Sequence, residues 1–574
     1  MDAAAIVTAP STRRPVSAPN RLPQPVIDGW RNRVFVWRHQ LEAVIDGAFA
    51  ELDVRSGVSI TVYNEADSGL GDVAFASKFM ALLDRELPGV SLDLVSTDAV
   101  KQAGFGLPSR VRLWSVADYA GRGPMSPPQL VISAPGIFDH CRSAASVLNT
   151  LHLPLETPFL FLAEYGSIRQ LRDDAFKSLE PQFDAFIDSY LDRVAAEVGV
   201  EPDVIGHRPK TGEIVVVGDG QTRVVGNLAL GLLGALPGAP LRAWVLDPCL
   251  AARSCGIEAG ELGVHLDDGL LARARELAED PAMRQAELAQ LADAELRVAL
   301  QDDPDSGKYL GYGHSGAETF LDYVALLEQR HSRSIDVVMP TSRSPEQLAA
   351  VELGLALRER LRGRGIGVME ILGGDPRQPA AQVSPVRLEL GPGKRLRVFV
   401  HYPLCHEDMR RLLLATEPAT MVSGDQSFSD AVSARKAVVY IEPVYCQTWH
   451  MDAVCALADR VAPPARTVLA FGMQYEWSEQ GYGPVAEILS GPDPMAPFLA
   501  MNDAIWANHN LNPAVMAMVR RQLATAAHPE MAVRVREFLR AAVADLDIHA
   551  GLLLDPAELQ RLAEDVTRLA SSVR

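Results

Sequence analysis

The chain runs to 574 residues, too long for one hydrophobic core and long enough for about two to four domains. Hydrophobic residues make up 48% and charged residues 22%, which excludes a disordered or fibrous chain and indicates a globular one. A net charge of −19, from 54 Lys+Arg against 73 Asp+Glu, disfavours non-specific binding to polyanions, and no basic stripe is long enough for a nucleic-acid surface.

In chain order, residues 1–25 are rich in Pro, Ser, Ala and Arg and read as a flexible tail. A short helical stretch, Val26 to Leu52, precedes a series of apolar runs with turn punctuation. Val58–Tyr63, Ser91–Val95, Val111–Trp114, Leu130–Ser133 and Phe159–Leu162 predict strands, and Val73–Leu87 predicts a helix between the first two. Alternating strand and helix argues for a mostly parallel sheet with helices on both faces. Glu213–Val217 and Arg242–Leu246 are expected to add strands to this first domain, and Leu270–Leu300 reads as one or two helices. A second alternation follows: strand Lys308–Tyr312, helix Ala317–Gln329, strand Asp336–Met339, helix Pro345–Arg362, then strands Gly367–Leu372 and Arg397–Val400. It continues through helix His406–Thr416, strand Thr420–Ser423, helix Ser427–Ala434 and strand Val438–Glu442. Helical patterns at Ala514–Ala527, Ala532–Ala544 and Pro556–Ser571 close the chain. The expected division is a tail at 1–25, an α/β domain at 26–304, a second at 305–490 and a helical segment at 491–574.

Six cysteines (Cys141, Cys249, Cys255, Cys405, Cys446, Cys455) include no Cys-x-x-Cys pair, so neither a zinc knuckle nor a redox motif is written here. Reduced, buried thiols in a cytoplasmic protein are expected. The N-terminus lacks the basic-then-apolar layout of a secretory signal, and no apolar run is long enough for a membrane span.

Open α/β sheets bind ligands beyond the carboxyl ends of their strands, which directs attention to the loops there. After the first strand comes Asn64-Glu65-Ala66-Asp67-Ser68-Gly69-Leu70-Gly71-Asp72. Gly69 and Gly71 let the backbone turn sharply and a substrate approach closely. Asp72 stands at the helix start, where a carboxylate caps free amides, and Asp67 has the makeup of an ordinary turn residue. Either can instead act as a general base on an acceptor nucleophile. A second loop, Ser423-Gly424-Asp425-Gln426-Ser427-Phe428-Ser429-Asp430, follows a strand and opens a helix. Its unpaired amides and positive dipole end suit a diphosphate as well as they suit a plain capped helix. Asp425 repels phosphate and is better placed on a sugar or ribose hydroxyl. Tyr312 and His314, beside Gly313, are candidates to touch a base or sugar, although a lone loop histidine is more often merely satisfied locally. Val217-Gly218-Asp219-Gly220-Gln221-Thr222 lacks the third glycine of a dinucleotide fingerprint and reads as a hairpin turn. His401, His406 and His450 have no metal-ligand spacing.

Four segments in order, Leu310-Gly311-Tyr312-Gly313-His314, Asp408-Met409-Arg410-Arg411-Leu412-Leu413, Ser423 to Phe428, and Val439-Tyr440-Ile441-Glu442-Pro443, carry a resemblance. On them the second domain resembles the nucleotide-sugar-binding half of GT-B glycosyltransferases, in particular the bacterial protein-arginine rhamnosyltransferases. Glu65 to Asp72 resembles the opening acidic loop of the same family. The resemblance implies an α/β fold of two doubly wound, Rossmann-like domains facing a cleft, the GT-B architecture, with C-terminal helices. It implies transfer of a sugar from an NDP-sugar donor to an acceptor, a protein side chain or glycan among the options. In-line attack by a base-activated acceptor predicts inversion, and no Asp-x-Asp motif stands at a strand end, so no metal or other cofactor is expected. Asp72 matches the second aspartate of the family's opening, and Asp67 the first with one extra residue between them; one such acid is the base. Asp425 matches the family's loop glutamate and Ser427 a diphosphate-contacting serine, whereas Gln426 replaces an aspartate. Residue chemistry and resemblance together give the expected donor set: Gly69, Gly71, Tyr312, His314, Gly424, Asp425, Gln426, Ser427 and Phe428. A nucleotide-sugar epimerase of the same architecture and a non-catalytic binding or scaffold protein are the alternatives. A dinucleotide oxidoreductase is disfavoured by the missing glycine fingerprint.

Overall fold

A computed structural model describes chiefly residues 57–66, 70–122, 126–136, 144–163, 190–207, 213–218, 221–227, 252–258, 261–313, 316–341, 343–351, 353–373, 385–400, 404–441, 449–473 and 479–527, with a few isolated positions elsewhere. The first unit is built on β1 (Ser59–Asn64), α1 (Gly71–Glu86), β2 (Ser91–Ser96), α2 (Ala99–Ala103), β3 (Val111–Ser115), α3 (Val116–Gly121), β4 (Leu130–Gly136), α4 (Ala144–Thr150) and β5 (Phe159–Ala163). These strands are continuous apolar runs because helices cover both sheet faces. Ile60 and Val62 pack with Phe75 and Phe79 on one side, while Tyr63 packs with Val95, Tyr119 and Val147 on the other. All pairings are parallel, in the order β3-β2-β1-β4-β5, which is that of a doubly wound nucleotide-binding sheet. The strand order reverses between β1 and β4, so the loop after β1 opens at the switch point.

Three strands, β6 (Ile205–His207), β7 (Glu213–Gly218) and β8 (Gln221–Asn227), form a separate antiparallel sheet over Leu191, Val194 and Ala195. Glu213–Val217, expected to add a strand to the first domain, is a strand, but it lies in this separate sheet: β7 spends both edges on its own neighbours. Gly218 pairs with Gln221, the hairpin that the glycine spacing indicates. The sixth strand of the first sheet is instead β9 (Ala252–Ser254), beside β5. Arg242–Leu246 lies outside the described residues.

Helices α5 (Asp268–Glu279), α6 (Pro281–Leu288) and α7 (Ala294–Gln301) lead into the second α/β unit. That unit comprises β10 (Gly307–Gly311), α8 (Ala317–Leu327), β11 (Ile335–Val338), α9 (Pro345–Val351), α10 (Leu355–Gly363), β12 (Ile366–Gly373), β13 (Val386–Glu389) and β14 (Lys394–Val400). It is completed by α11 (His406–Ala415), β15 (Ala419–Val422), α12 (Asp425–Ser433), β16 (Ala437–Tyr440) and helices α13 (Trp449–Val461), α14 (Pro463–Met473), α15 (Glu479–Leu489) and α16 (Ala496–Asn508), after which comes α17 (Leu511–Ala527). Its sheet runs β13-β12-β14-β11-β10-β15-β16, parallel except for the edge pair β12–β13. The order reverses between β10 and β15, so the loops starting at Tyr312 and Ser423 flank the second switch point. The single helix expected over Pro345–Arg362 is two, because Gly354 takes an extended conformation (φ −63°, ψ 167°) and caps α10.

The expected boundary at 304 moves back. Leu288, Leu291, Leu296 and Leu300 share a core with Leu310, Val338, Phe399 and Leu412, and the Asp408 carboxylate accepts from the Ala292 and Asp293 amides at 2.8 and 3.0 Å. Helices α5–α7 therefore belong to the second unit, and the crossing lies around 261–267. A second crossing runs alongside it: the Val264 amide donates to the His509 carbonyl at 2.7 Å, and the Leu511 amide to the Val264 carbonyl at 3.0 Å. Gly263 (φ +116°) permits this approach, since a Cβ there would lie 2.4 Å from the His509 oxygen. Beyond it α17 returns to the first unit, where Arg521 pairs with buried Asp46 at 2.9 Å and Arg520 donates to the Ala50 carbonyl at 2.6 Å. The two doubly wound, Rossmann-like units are thus joined by paired crossings.

Candidate functional site

At the first switch point, buried Asn64 ends β1 and donates its amide to the carbonyls of Asp72 and Ala134, both at 3.2 Å. It ties the helix start to the neighbouring strand β4. Asp72 is the second residue of α1 and only 4% exposed. No side chain caps α1 from Leu70, so this carboxylate supplies negative charge to the positive end of the helix. Gly71 opens α1 on the exposed side. Asp67 and Gly69 lie outside the described residues.

At the second switch point, Gly424 precedes α12 with φ +95° and ψ 158°, a conformation that side-chain-bearing residues avoid. No side chain caps this helix, and its first main-chain bond runs from the Phe428 amide to the Gly424 carbonyl at 3.1 Å. The Asp425, Gln426 and Ser427 amides precede it and have no intrahelical acceptor. The Ser427 hydroxyl turns back onto the Ser423 and Gly424 carbonyls, each at 2.9 Å, so its amide rather than its hydroxyl is the available donor. Ser429 likewise donates to the Asp425 carbonyl at 2.9 Å. Phe428 leaves the expected donor set: its ring is fully buried beside Tyr440, a contact worth about 2–3 kcal/mol of hydrophobic burial. Tyr312 is half-buried and donates its amide to the Met421 carbonyl at 2.8 Å, which sets it beside β15 and the Gly424 turn. His314 lies outside the described residues. Asp425 keeps part of its surface, yet the protein around it desolvates the carboxyl and pushes it up to about 7.

The two helix openings meet. A Cβ built on Gly71 would lie 3.9 Å from Gln426 Cγ, an ordinary contact. Deeper along the same helix pair, Lys78 Nζ lies 2.6 Å from Asp430 Oδ1 and donates to Gln426 Oε1 at 3.3 Å. Flanking contacts extend the seam. Phe105 rests on His406 with ring centroids 5.0 Å apart, and Arg410 binds Asp267 at 2.9 Å. Burial lowers the His406 pKa, reinforced by Arg410 and Lys78. Burial, with Lys78 adding to it, lowers that of His265 to about 3, so this ring is neutral against Phe75. For Asp267, burial is outweighed by Arg410 and the Leu270 amide, which hold the carboxyl below its ordinary value. Lys78 escaped the sequence reading. Its signal was a single cation inside a helical run, Val73 to Leu83, that is otherwise nearly all apolar.

No protein-family model matches the chain, and no curated protein matches it. Solved structures do. The structure describing EarP-mediated arginine glycosylation of translation elongation factor EF-P shares 16% identity, covering 59% of this chain and 95% of that one, with a TM-score of 0.29. The OtsA apo structure shares 10% identity over 81% of this chain and 99% of its own, at a TM-score of 0.34. An α,α-trehalose 6-phosphate synthase from Burkholderia multivorans shares 11%, over 83% and 100%, at 0.35.

Proposed function

We propose that the chain is a glycosyltransferase that moves a sugar from an NDP-sugar to an acceptor bearing a hydroxyl or nitrogen nucleophile. The observation that carries this reading is the meeting of two switch-point helix openings: the uncapped, glycine-led start of α12 and the Asp72-bearing start of α1. Helix amides and a positive dipole end suit a diphosphate, and an acid across the seam suits removal of a proton from the attacking group. The resemblance of the Glu65–Asp72 and Ser423–Phe428 segments to GT-B transferases supports the same reading.

In this mechanism the diphosphate lies on the Asp425, Gln426 and Ser427 amides. Asp72, or Asp67 in its place, takes the acceptor's proton while the nucleophile attacks the anomeric carbon from the face opposite the leaving diphosphate. One bond forms and one breaks in line, so the anomeric configuration inverts. The negative charge that develops on the diphosphate is met by fixed amide dipoles, which favours the transition state over the ground state. Asp425 is assigned to a sugar or ribose hydroxyl.

The test is a panel of UDP-, GDP- and dTDP-sugars, screened for thermal stabilisation, hydrolysis and transfer. One nucleotide class should stabilise the chain, and Asp72→Asn should lower turnover by about a hundredfold or more while leaving donor binding intact. No stabilisation by any nucleotide would favour a scaffold, and a sugar altered in the absence of acceptor would favour an epimerase.

A further inference from the structure

Lys78 and Gln426 make a hydrogen bond whose polarity is forced. A lysine ammonium carries three donors and no acceptor, so the amide atom that faces it must be the oxygen. The carboxamide of Gln426 is therefore held with Oε1 on Lys78 at 3.3 Å and its NH₂ group turned to the other side of the amide carbon. Among the described residues that nitrogen has no acceptor, and it is not closed off from solvent. Lys78 is itself fixed by Asp430 at 2.6 Å and only 7% exposed, so it cannot reach a ligand in this arrangement. Gly71 lies seven residues, two helical turns or about 10 Å, nearer the mouth of the seam on the same helix face.

We infer that Lys78 is a positioning residue: reaching from the first domain, it locks the Gln426 carboxamide as an outward hydrogen-bond donor to a diphosphate oxygen. The inference rests on the proposed nucleotide-sugar reading. At this place the chain carries a donor where the resembling family carries an aspartate. The neighbouring amides of Asp425, Gln426 and Ser427 are donors as well, so the group that satisfies all of them is rich in acceptors and anionic. Because the lock spans both domains, donor affinity and domain contact are coupled through one side chain.

The decisive comparison titrates the intact chain and its variants with UDP, GDP and dTDP by calorimetry. Lys78→Met frees the carboxamide to flip and should weaken the nucleotide that binds by about tenfold, with KM for the donor rising more than kcat falls. Lys78→Arg, which keeps the donor, should recover part of that loss. Gln426→Glu keeps a partner for Lys78 and leaves the Lys78–Asp430 pair in place, but it replaces the NH₂ by a carboxylate oxygen. It should weaken binding at least as much without loss of thermal stability. If the wild type binds none of the three nucleotides, the functional reading fails and takes this inference with it. If the wild type binds one of them and both Lys78→Met and Gln426→Glu bind it equally well, the positioning role is wrong and the reading stands.

Discussion

Lys78 of α1 and Asp430 of α12 meet at 2.6 Å across the boundary between the domains, with 7% and 17% of their side chains exposed. Removing one member of such a pair leaves the other charge shielded from water and without its counterion. Asp430→Asn is expected to destabilise the fold by about 3 kcal/mol. In a chain of this size that is a fall in Tm of about 2–5 °C by circular dichroism. Since the pair is largely buried, raising the salt from 0.1 M to about 1 M should change the deficit little.

Gly424 and Gly71 should respond oppositely to alanine. At Gly424 no atom lies within 4 Å of a built Cβ, so the obstacle is the backbone, at φ +95° and ψ 158°. Gly424→Ala should cost about 1–3 kcal/mol and displace the amides of α12, weakening nucleotide binding beyond the loss of stability. Gly71 is already helical, and the same methyl meets only Gln426 Cγ at 3.9 Å. Gly71→Ala should be neutral or stabilising by about 0.5 kcal/mol. Lower turnover in that stable variant would report close approach of the acceptor.

Gly263→Ala tests the paired crossings. The added methyl would sit 2.4 Å from the His509 carbonyl oxygen, on backbone that cannot swing aside like a side chain. A loss of about 2–4 kcal/mol in chemical denaturation is expected. Gly57→Ala is the control for positive φ alone, since no atom lies within 4 Å of a Cβ there.

Asp425 imposes a pH dependence with a defined sign. Burial pushes its carboxyl up to about 7, against an ordinary value of 3.8. The folded chain therefore holds a proton that the unfolded chain has released. This group's contribution to stability is complete below about pH 4 and is lost as pH rises to about 7. Above 7 its charge opposes a diphosphate. Affinity for an NDP-sugar, whose diphosphate does not itself titrate in this range, should fall between pH 6 and 8. Asp425→Asn should flatten that profile, as calorimetry in buffers of matched ionic strength would show.

The strands were legible because the fold buries them on both faces: Val58–Tyr63, Ser91–Val95 and Phe159–Leu162 each differ from the observed strand by a residue or so. Both switch-point loops were legible because glycine and acid cluster where a strand hands over to a helix. Partner choice was not. Glu213–Val217 reads as a strand of any sheet, and only its antiparallel pairing with β6 and β8 shows which. The amphipathic run Leu270–Leu300 contains no sign of which domain covers its leucines. Phe428 entered the donor set because it reads with the loop segment that opens the helix; it lies in the first turn of α12, with its ring buried. Lys78 was missed for a simpler reason: a lysine in a helix normally faces water, and the glutamine that it holds is 348 residues away.

Amide hydrogen exchange, measured with and without a saturating NDP-sugar, tests the central claim most directly. The account predicts slowed exchange at the amides of Asp425, Gln426 and Ser427, with weaker protection over 64–73. Saturable binding that protects a different part of the chain and leaves those three amides exchanging at their free rate would contradict it.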